Sequence, residues 1–316
     1  MSNNILVIGS LAFDYIMNFE GKFKDHIMPD KVHILNVCFT AKKLQKEFGG
    51  TAGNIAYNLN LLQQNPYIIA TAGSDFNEYE KWLENNKIST KYINILKDQY
   101  TASAHIITDQ DDNQITSFHG GAMLCKHQPI SHIIDKIKPE LAILAPNSKE
   151  ATIDYSHKLT NKNILYIFDP GQMIIAFEKH ELTNLLSNSY VSIFNDYEMQ
   201  LFTDRTGISI DKAIDMVDYL IITLGEKGSL IYHQGNKYKI PTAKPININD
   251  PTGAGDAYRS GIISGLLNNW EIEQMGRVAA LSSVYTVEKY GTQTHQYSIN
   301  EFKKRYKDNF NKELKF

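Results

Sequence analysis

Short apolar runs that end in small or polar residues recur along this chain, separated by longer stretches with helical spacing of apolar side chains. Alternation of this kind confines a chain to a mostly parallel sheet covered by helices, because parallel neighbours need a crossover connection and a helix is its usual form. The runs lie at residues 5–9, 67–72, 141–145, 164–169, 191–195 and 219–224. Several close on Gly, Asp, Asn or Thr, so polar groups gather at the carboxyl edge, where open α/β sheets bind ligands. Apolar periodicity predicts helices over 53–62, 79–86, 254–267 and 272–288. At 316 residues the chain exceeds the usual size of one compact core, which favours a large domain with a smaller appendage.

Two stretches, 19–40 and 101–118, interrupt this rhythm with β-rich alternation such as His105-Ile106-Ile107-Thr108 and Gln114-Ile115-Thr116-Ser117-Phe118. Between the last two runs, residues 109–113 are turn-rich and suit a hairpin tip. The expectation is one domain over 1–316. A small sheet drawn from about 16–40 and 100–120 would project from it as a lid over the carboxyl edge.

Residues 250–261 read Asp-Pro-Thr-Gly-Ala-Gly-Asp-Ala-Tyr-Arg-Ser-Gly, a small-residue turn that opens the helix predicted from 254. Gly253, Ala254 and Gly255 let backbone approach a ligand, and the free N–H groups and positive dipole end of a helix start suit phosphate. Asp256 then places a carboxylate where an anion site would otherwise exclude one. Such a group either is an ordinary acidic first-turn residue or accepts a proton from an attacking hydroxyl. Residues 47–62 hold a second double-glycine turn running into an amphipathic helix, with Gly49 and Gly50 at the turn and Asn54 one turn in.

Together the two segments resemble the paired signatures of the ribokinase-like (PfkB) family of carbohydrate and nucleoside kinases, with similarity along the whole chain. The resemblance implies a mostly parallel sheet flanked by helices on both faces, with a small β-sheet lid. It implies that the Gly49-Gly50 motif holds substrate and that Asp256 is the base beside an anion hole of Gly253, Ala254 and Gly255. The first strand is expected to deliver Ser10 and Asp14 to the sheet edge. From the residues alone Asp14 reads equally as a turn former or as the acceptor of two ribose hydroxyl bonds; the resemblance implies the second role. Asn195 and Glu198 resemble the family's Asn-x-x-Glu motif, which organises Mg²⁺ and phosphate, although the same spacing is a capping box. Thr223, Gly225 and Gly228 resemble the turn that receives ATP. Asp250, Thr252, Ser283 and Gly291 fall where relatives hold a monovalent cation such as K⁺, with Ser283 also expected at the nucleotide.

For the substrate, simple ribose kinases of the family carry lysine after Gly-Gly, whereas this chain has Thr51. The run from Gly49 to Tyr57 resembles bacterial adenosine kinases, as do Asp169-Pro-Gly-Gln172 and Ser117–Met123. Phe118 is placed to stack on a purine and Gln172 to bond its edge; their bland alternatives are a core phenylalanine and a solvent-facing glutamine. Ala104 stands where actinobacterial relatives have a second aromatic, which loosens base selectivity. The expected activity is phosphorylation of a nucleoside, adenosine foremost, at the ribose 5′-hydroxyl by MgATP in purine salvage. A sugar kinase and a non-catalytic nucleoside-binding protein are the alternatives.

No GxxxxGK[ST] segment is present and no GxGxxG follows the first strand, against P-loop kinases and dinucleotide-binding dehydrogenases. A net charge of −3 gives no reason to expect nucleic acid or membrane as partner. Two cysteines, Cys38 and Cys125, without metal or disulfide spacing fit a reducing cytoplasm. A monomer or homodimer is expected.

Overall fold

Strand β1 (Asn4–Ile8) sends Ile5 and Val7 into one hydrophobic core and Leu6 and Ile8 into another, all fully buried. That period-2 alternation with both faces apolar is what a central parallel strand requires. The computed structural model, which describes residues 3–27, 34, 36–111, 113–125 and 127–315, builds outward from this strand.

In chain order β1 is followed by β2 (Ala12–Phe19), β3 (Ala41–Gly49), α1 (Thr51–Leu61), β4 (Asn65–Gly73), α2 (Asn77–Asn85), β5 (Ile93–Leu96), β6 (Ala102–Thr108) and β7 (Gln114–His119). Then come α3 (Ser131–Ile137), β8 (Leu141–Leu144), α4 (Lys149–Asn161), β9 (Tyr166–Phe168), α5 (Lys179–Asn188), β10 (Val191–Asn195), α6 (Asp196–Thr206) and α7 (Ile210–Ile214). The chain continues with β11 (Tyr219–Thr223), β12 (Ser229–His233), β13 (Asn236–Ile240), α8 (Ala254–Leu267), α9 (Ile272–Val287) and α10 (Ile299–Phe310).

The large sheet has nine strands in the order β13-β12-β11-β10-β9-β8-β1-β4-β5, parallel from β11 to β5 and antiparallel at β12 and β13. Helices α1, α2, α8 and α9 cover one face and α3 to α7 the other. Going from β1 the chain builds one side through β4 and β5, then returns at β8 on the other. The crevice beside the carboxyl end of β1 is therefore a topological switch point. This is the mostly parallel sheet flanked by helices on both faces that the resemblance implies.

A separate four-stranded sheet, β3-β2-β6-β7, pairs β2 antiparallel to β3 and parallel to β6, with β6 antiparallel to β7. Its register sets Glu47, Asp14, Ala104 and Phe118 side by side in one row. Residues directly opposite across a ladder share a face, so all four belong to the same side of the small sheet.

Two expectations need correction. The first strand does not deliver Asp14: β1 ends at Ile8 and belongs to the large sheet, whereas Asp14 sits on β2 of the small one. The stretch 19–40 contributes no strand beyond Phe19 among its described residues, holding instead a 3-10 turn at Phe23–Asp25; residues 28–33 and 35 lie outside the description. The strands flank that stretch. β3 was hidden because it is an edge strand carrying Lys42, Lys43 and Lys46, the charged composition that keeps an exposed edge from pairing with another chain.

Candidate active site

Helix α8 is capped at its N-terminus by Gly253, whose φ of 78° is left-handed and whose missing Cβ would come within 2.9 Å of the Thr292 side chain. Only glycine takes that corner freely. The turn leaves the first N–H groups of α8 without partners inside the helix, an anion-binding arrangement. Asp256 sits in that first turn, where burial pushes its carboxyl up to about 7; Arg259 and a hydrogen bond from Asn54 pull it down, while Asp169 and Asp14 push it further up. A carboxylate poised near neutrality suits a general base.

At the start of α1, Gly50 has φ 85° and no room for a Cβ, which would meet Ala12 N and Ser10 O at 2.6 Å. Gly49 likewise leaves space for the Asp14 carboxylate. Asp14 is raised to about 6 by burial first and then by Asp250 and Glu47. Ser10 is buried and ties β1 to α1: its hydroxyl accepts from Thr51 N at 3.1 Å and its carbonyl from Ala52 N at 2.9 Å. Asn54, also buried, donates through Nδ2 to Asp256 Oδ2 at 2.8 Å. The two glycine motifs thus meet at a bond between Asn54 and Asp256.

Arg259, one helical turn beyond Asp256, pairs in two-pronged fashion with Asp169 at the end of β9, and donates through Nη1 to Gly255 O at 3.0 Å. Both partners are buried. Asp169 opens the turn Pro170-Gly171-Gln172, so this ion pair links the α8 turn to the loop that carries Gln172, which is exposed. Nearby, Asn195 and Glu198 form a reciprocal capping box at the start of α6, with bonds of 2.7 and 2.8 Å. Burial raises the Glu198 carboxyl, with Asp169 adding and Arg259 opposing.

Beside the α8 turn lies a cavity of about 330 Å³ with walls of Ala243, Pro245, Ile248, Ala280, Val284 and Val287. Thr223, Gly225, Gly228 and Ser283 line it together with Ala254 and Gly255. Gly228 has φ 88° and no space for a side chain against Ile240 O. Asp250 accepts from Thr252 N at 2.9 Å and from Gly291 N at 3.2 Å, which joins three of the residues expected around a cation. Ser283 instead bonds Ala254 O at 2.8 Å. Phe118 is 56% exposed on the face it shares with Asp14, so it is no core residue.

A family model described as pfkB family carbohydrate kinase matches residues 2–298. The chain belongs to this family. As a pfkB kinase it is a phosphotransferase acting on a hydroxyl group. The nucleoside kinase of Methanocaldococcus jannaschii is 31% identical over 293 residues, 92% of each chain. Among solved structures, a Burkholderia thailandensis nucleoside kinase in complex with inosine matches with TM-score 0.89 at 35% identity, covering 99% of this chain and 100% of that one. A Thermotoga maritima ribokinase at TM-score 0.78 and 19% identity, covering 96% and 99%, shares the fold.

Several residues of this pfkB site escape a reading of the sequence. The Arg259–Asp169 pair joins residues far apart in the chain, and an arginine inside an amphipathic helix looks solvent-facing. Thr292 and Gln293, both buried against Asn54, follow Gly291 in a stretch without periodicity. Glu47 reads as one more charge in a polar strand until the register sets it beside Asp14.

Proposed function

We propose that the chain is an ATP-dependent nucleoside kinase that phosphorylates the ribose 5′-hydroxyl of a purine nucleoside, adenosine first. The observation that carries this reading is the row Asp14, Ala104, Phe118 on the small sheet. With strands about 4.8 Å apart, Asp14 and Phe118 stand roughly 10 Å from each other, the reach from sugar hydroxyls to a stacked base. A free sugar would use Asp14 and leave Phe118 idle. Gln172 then bonds the edge of the base, and Ala104 beside Phe118 leaves the purine walled by a ring on one side. That gap is consistent with tolerance of inosine, the ligand of the Burkholderia relative.

In the reaction the 5′-oxygen attacks the γ-phosphorus, its proton passes to Asp256, and the bond from phosphorus to the ADP oxygen breaks. Gly253, Ala254 and Gly255 face the transferring phosphoryl group with backbone N–H groups. The apolar cavity takes the adenine of ATP, with Thr223, Gly225, Gly228 and Ser283 around it. Mg²⁺ arriving with ATP neutralises phosphate charge. No cluster of three or more metal-ligating side chains occurs among the described residues, which suits an ion held by nucleotide and water. Glu198 uses one carboxylate oxygen on the Asn195 N–H, leaving the other for such a water. K⁺ beside Asp250, Thr252 and Gly291 fits the negative field that Asp14, Glu47 and Asp250 share.

The test is product analysis. Incubation of adenosine with MgATP should yield the 5′-monophosphate by phosphorus NMR, and 5′-deoxyadenosine should yield nothing. Phosphate on another hydroxyl, or none on adenosine, contradicts the assignment.

A further inference from the structure

Asn54 meets Asp256 through an amide whose two ends look alike in shape but differ in chemistry: NH₂ stabilises a carboxylate and C=O repels it. What decides which end faces Asp256 lies outside the two glycine motifs. Trp82 Nε1, which donates and never accepts, points at Gln293 Oε1 at 3.1 Å. Gln293 must therefore turn its Nε2 the other way, where it donates to Asn54 Oδ1 at 3.0 Å and to the Tyr79 hydroxyl at 2.5 Å. Tyr79 in turn donates to Gly49 O at 2.8 Å. Thr292 Oγ1 reaches the same Asn54 Oδ1 at 2.6 Å and Phe48 O at 2.8 Å, its single proton serving one of them at a time. With Oδ1 claimed by these donors, Asn54 has its Nδ2 left for Asp256 Oδ2.

We propose that Gln293, polarised by Trp82 and assisted by Thr292, is a positioning residue that fixes the orientation of the Asn54 amide and so holds Asp256 in its proton-accepting form. The proposal rests on the reading of Asp256 as the base. None of the three touches the Asp256 carboxylate; they act through Asn54. A flipped Asn54 would set carbonyl oxygen against carboxylate, and Asp256 would then take up a proton at higher pH.

Other charges that face Asp256 are Arg259 on its own helix, Asp169 from the end of β9 and Asp14 from β2; Tyr79 on α2 is coupled to it as well. Asp14 itself feels Glu47 and Asp250. Because Asp14 acts on nucleoside binding, the readout is the pH profile of kcat at saturating adenosine and MgATP, where loss of affinity drops out.

Gln293→Met should move the acid limb of that profile upward by about one unit, the scale of one hydrogen bond to a charged group. Turnover at pH 6 would fall ~10-fold, while at pH 9 it would stay within ~3-fold of wild type. Trp82→Phe removes the origin of the polarity from farther away and should shift the limb in the same direction by less. Melting temperatures are measured on both, and Trp82→Phe serves if Gln293→Met does not fold. A uniform loss of kcat across pH, or an unmoved acid limb in a folded variant, overturns the proposal. Asp256→Asn in the same assay keeps the two claims apart: if it turns over near the wild-type rate, the base assignment itself has failed.

Discussion

In the proposed function two carboxylates with raised affinities for protons divide the chemistry at the scale of single residues. Asp256 is pushed to about 7 and Asp14 to about 6, burial being the first cause for each. Proton acceptance by Asp256 needs the ionised form, so kcat should fall as pH drops through about 7. Asp14 accepts hydroxyl bonds best when ionised, so KM for nucleoside should rise as pH drops through about 6. Asp14→Ala should raise KM far more than it lowers kcat, since charge-assisted bonds worth about 1.5–3 kcal/mol each are lost. The 2′-deoxynucleoside lacks one of those bonds already, so the variant should narrow the gap between ribo and deoxy substrates. Steady-state kinetics on both substrates checks this; an unchanged preference would remove Asp14 from sugar recognition. Arg259→Met would leave Asp169 buried without its partner, a change that costs about 3–5 kcal/mol in comparable buried pairs. Urea unfolding should show a loss of that size, and a variant as stable as wild type would mean that Asp169 finds another partner.

In the proposed function the small sheet is the element that reads the nucleoside. Phe118→Ala should lose about 1–3 kcal/mol of nucleoside binding, the usual scale for a base stacked on an aromatic ring. At 56% exposure its truncation opens no core cavity, so the melting temperature should stay put. Calorimetry of adenosine binding beside a thermal melt separates these effects, and a destabilised variant with unchanged affinity would refute the stacking role. The sequence showed this element only in part. β6 and β7 were legible because β-branched alternation flanks a turn whose Asp109 takes backbone N–H bonds from Phe23, Asp111 and Asn113. β3 was not, since its lysines mask a strand, and β2 merged with β1 because Ser10 and Leu11 carry no turn signal. In the large sheet the central strands stood out as unbroken apolar runs, with α8 and β10 legible to the residue. Helices α3 to α7 were missed because they are short or polar on their outer faces and depend on tertiary packing. The glycine turns and Asp256 were legible as motifs, whereas Gln293 and the Arg259–Asp169 pair exist only once distant segments meet.

Across the whole molecule, α9 and the segment after it close the core around α1, and His295 is the group that ties stability to pH there. It is 1% exposed, donates through Nε2 to Asn58 Oδ1 at 2.9 Å, and burial pushes it down to about 4. The folded state therefore holds it neutral, and its contribution is fully present above the unfolded value near 6.5. It is lost as pH falls toward about 4, amounting to about 2–3 kcal/mol by pH 4.5. Asp14 and Asp256 have the opposite sign, because acids raised in the folded state favour folding as pH falls. The difference between wild type and His295→Gln isolates the histidine: it should shrink between pH 7 and pH 4.5 in urea titrations. A constant difference would mean that His295 does not titrate in this way.

A pfkB fold with Asp14 and Phe118 in one row should act on nucleosides. The most direct measurement is kcat/KM of the intact protein with MgATP for adenosine and for ribose, side by side. A stacked base worth about 1–3 kcal/mol, together with a bonded base edge worth about 0.5–1.5 kcal/mol, predicts adenosine ahead by at least ~10-fold. Ribose equal to or better than adenosine would rule out nucleoside specificity, because Phe118 and Gln172 would then have no base to read.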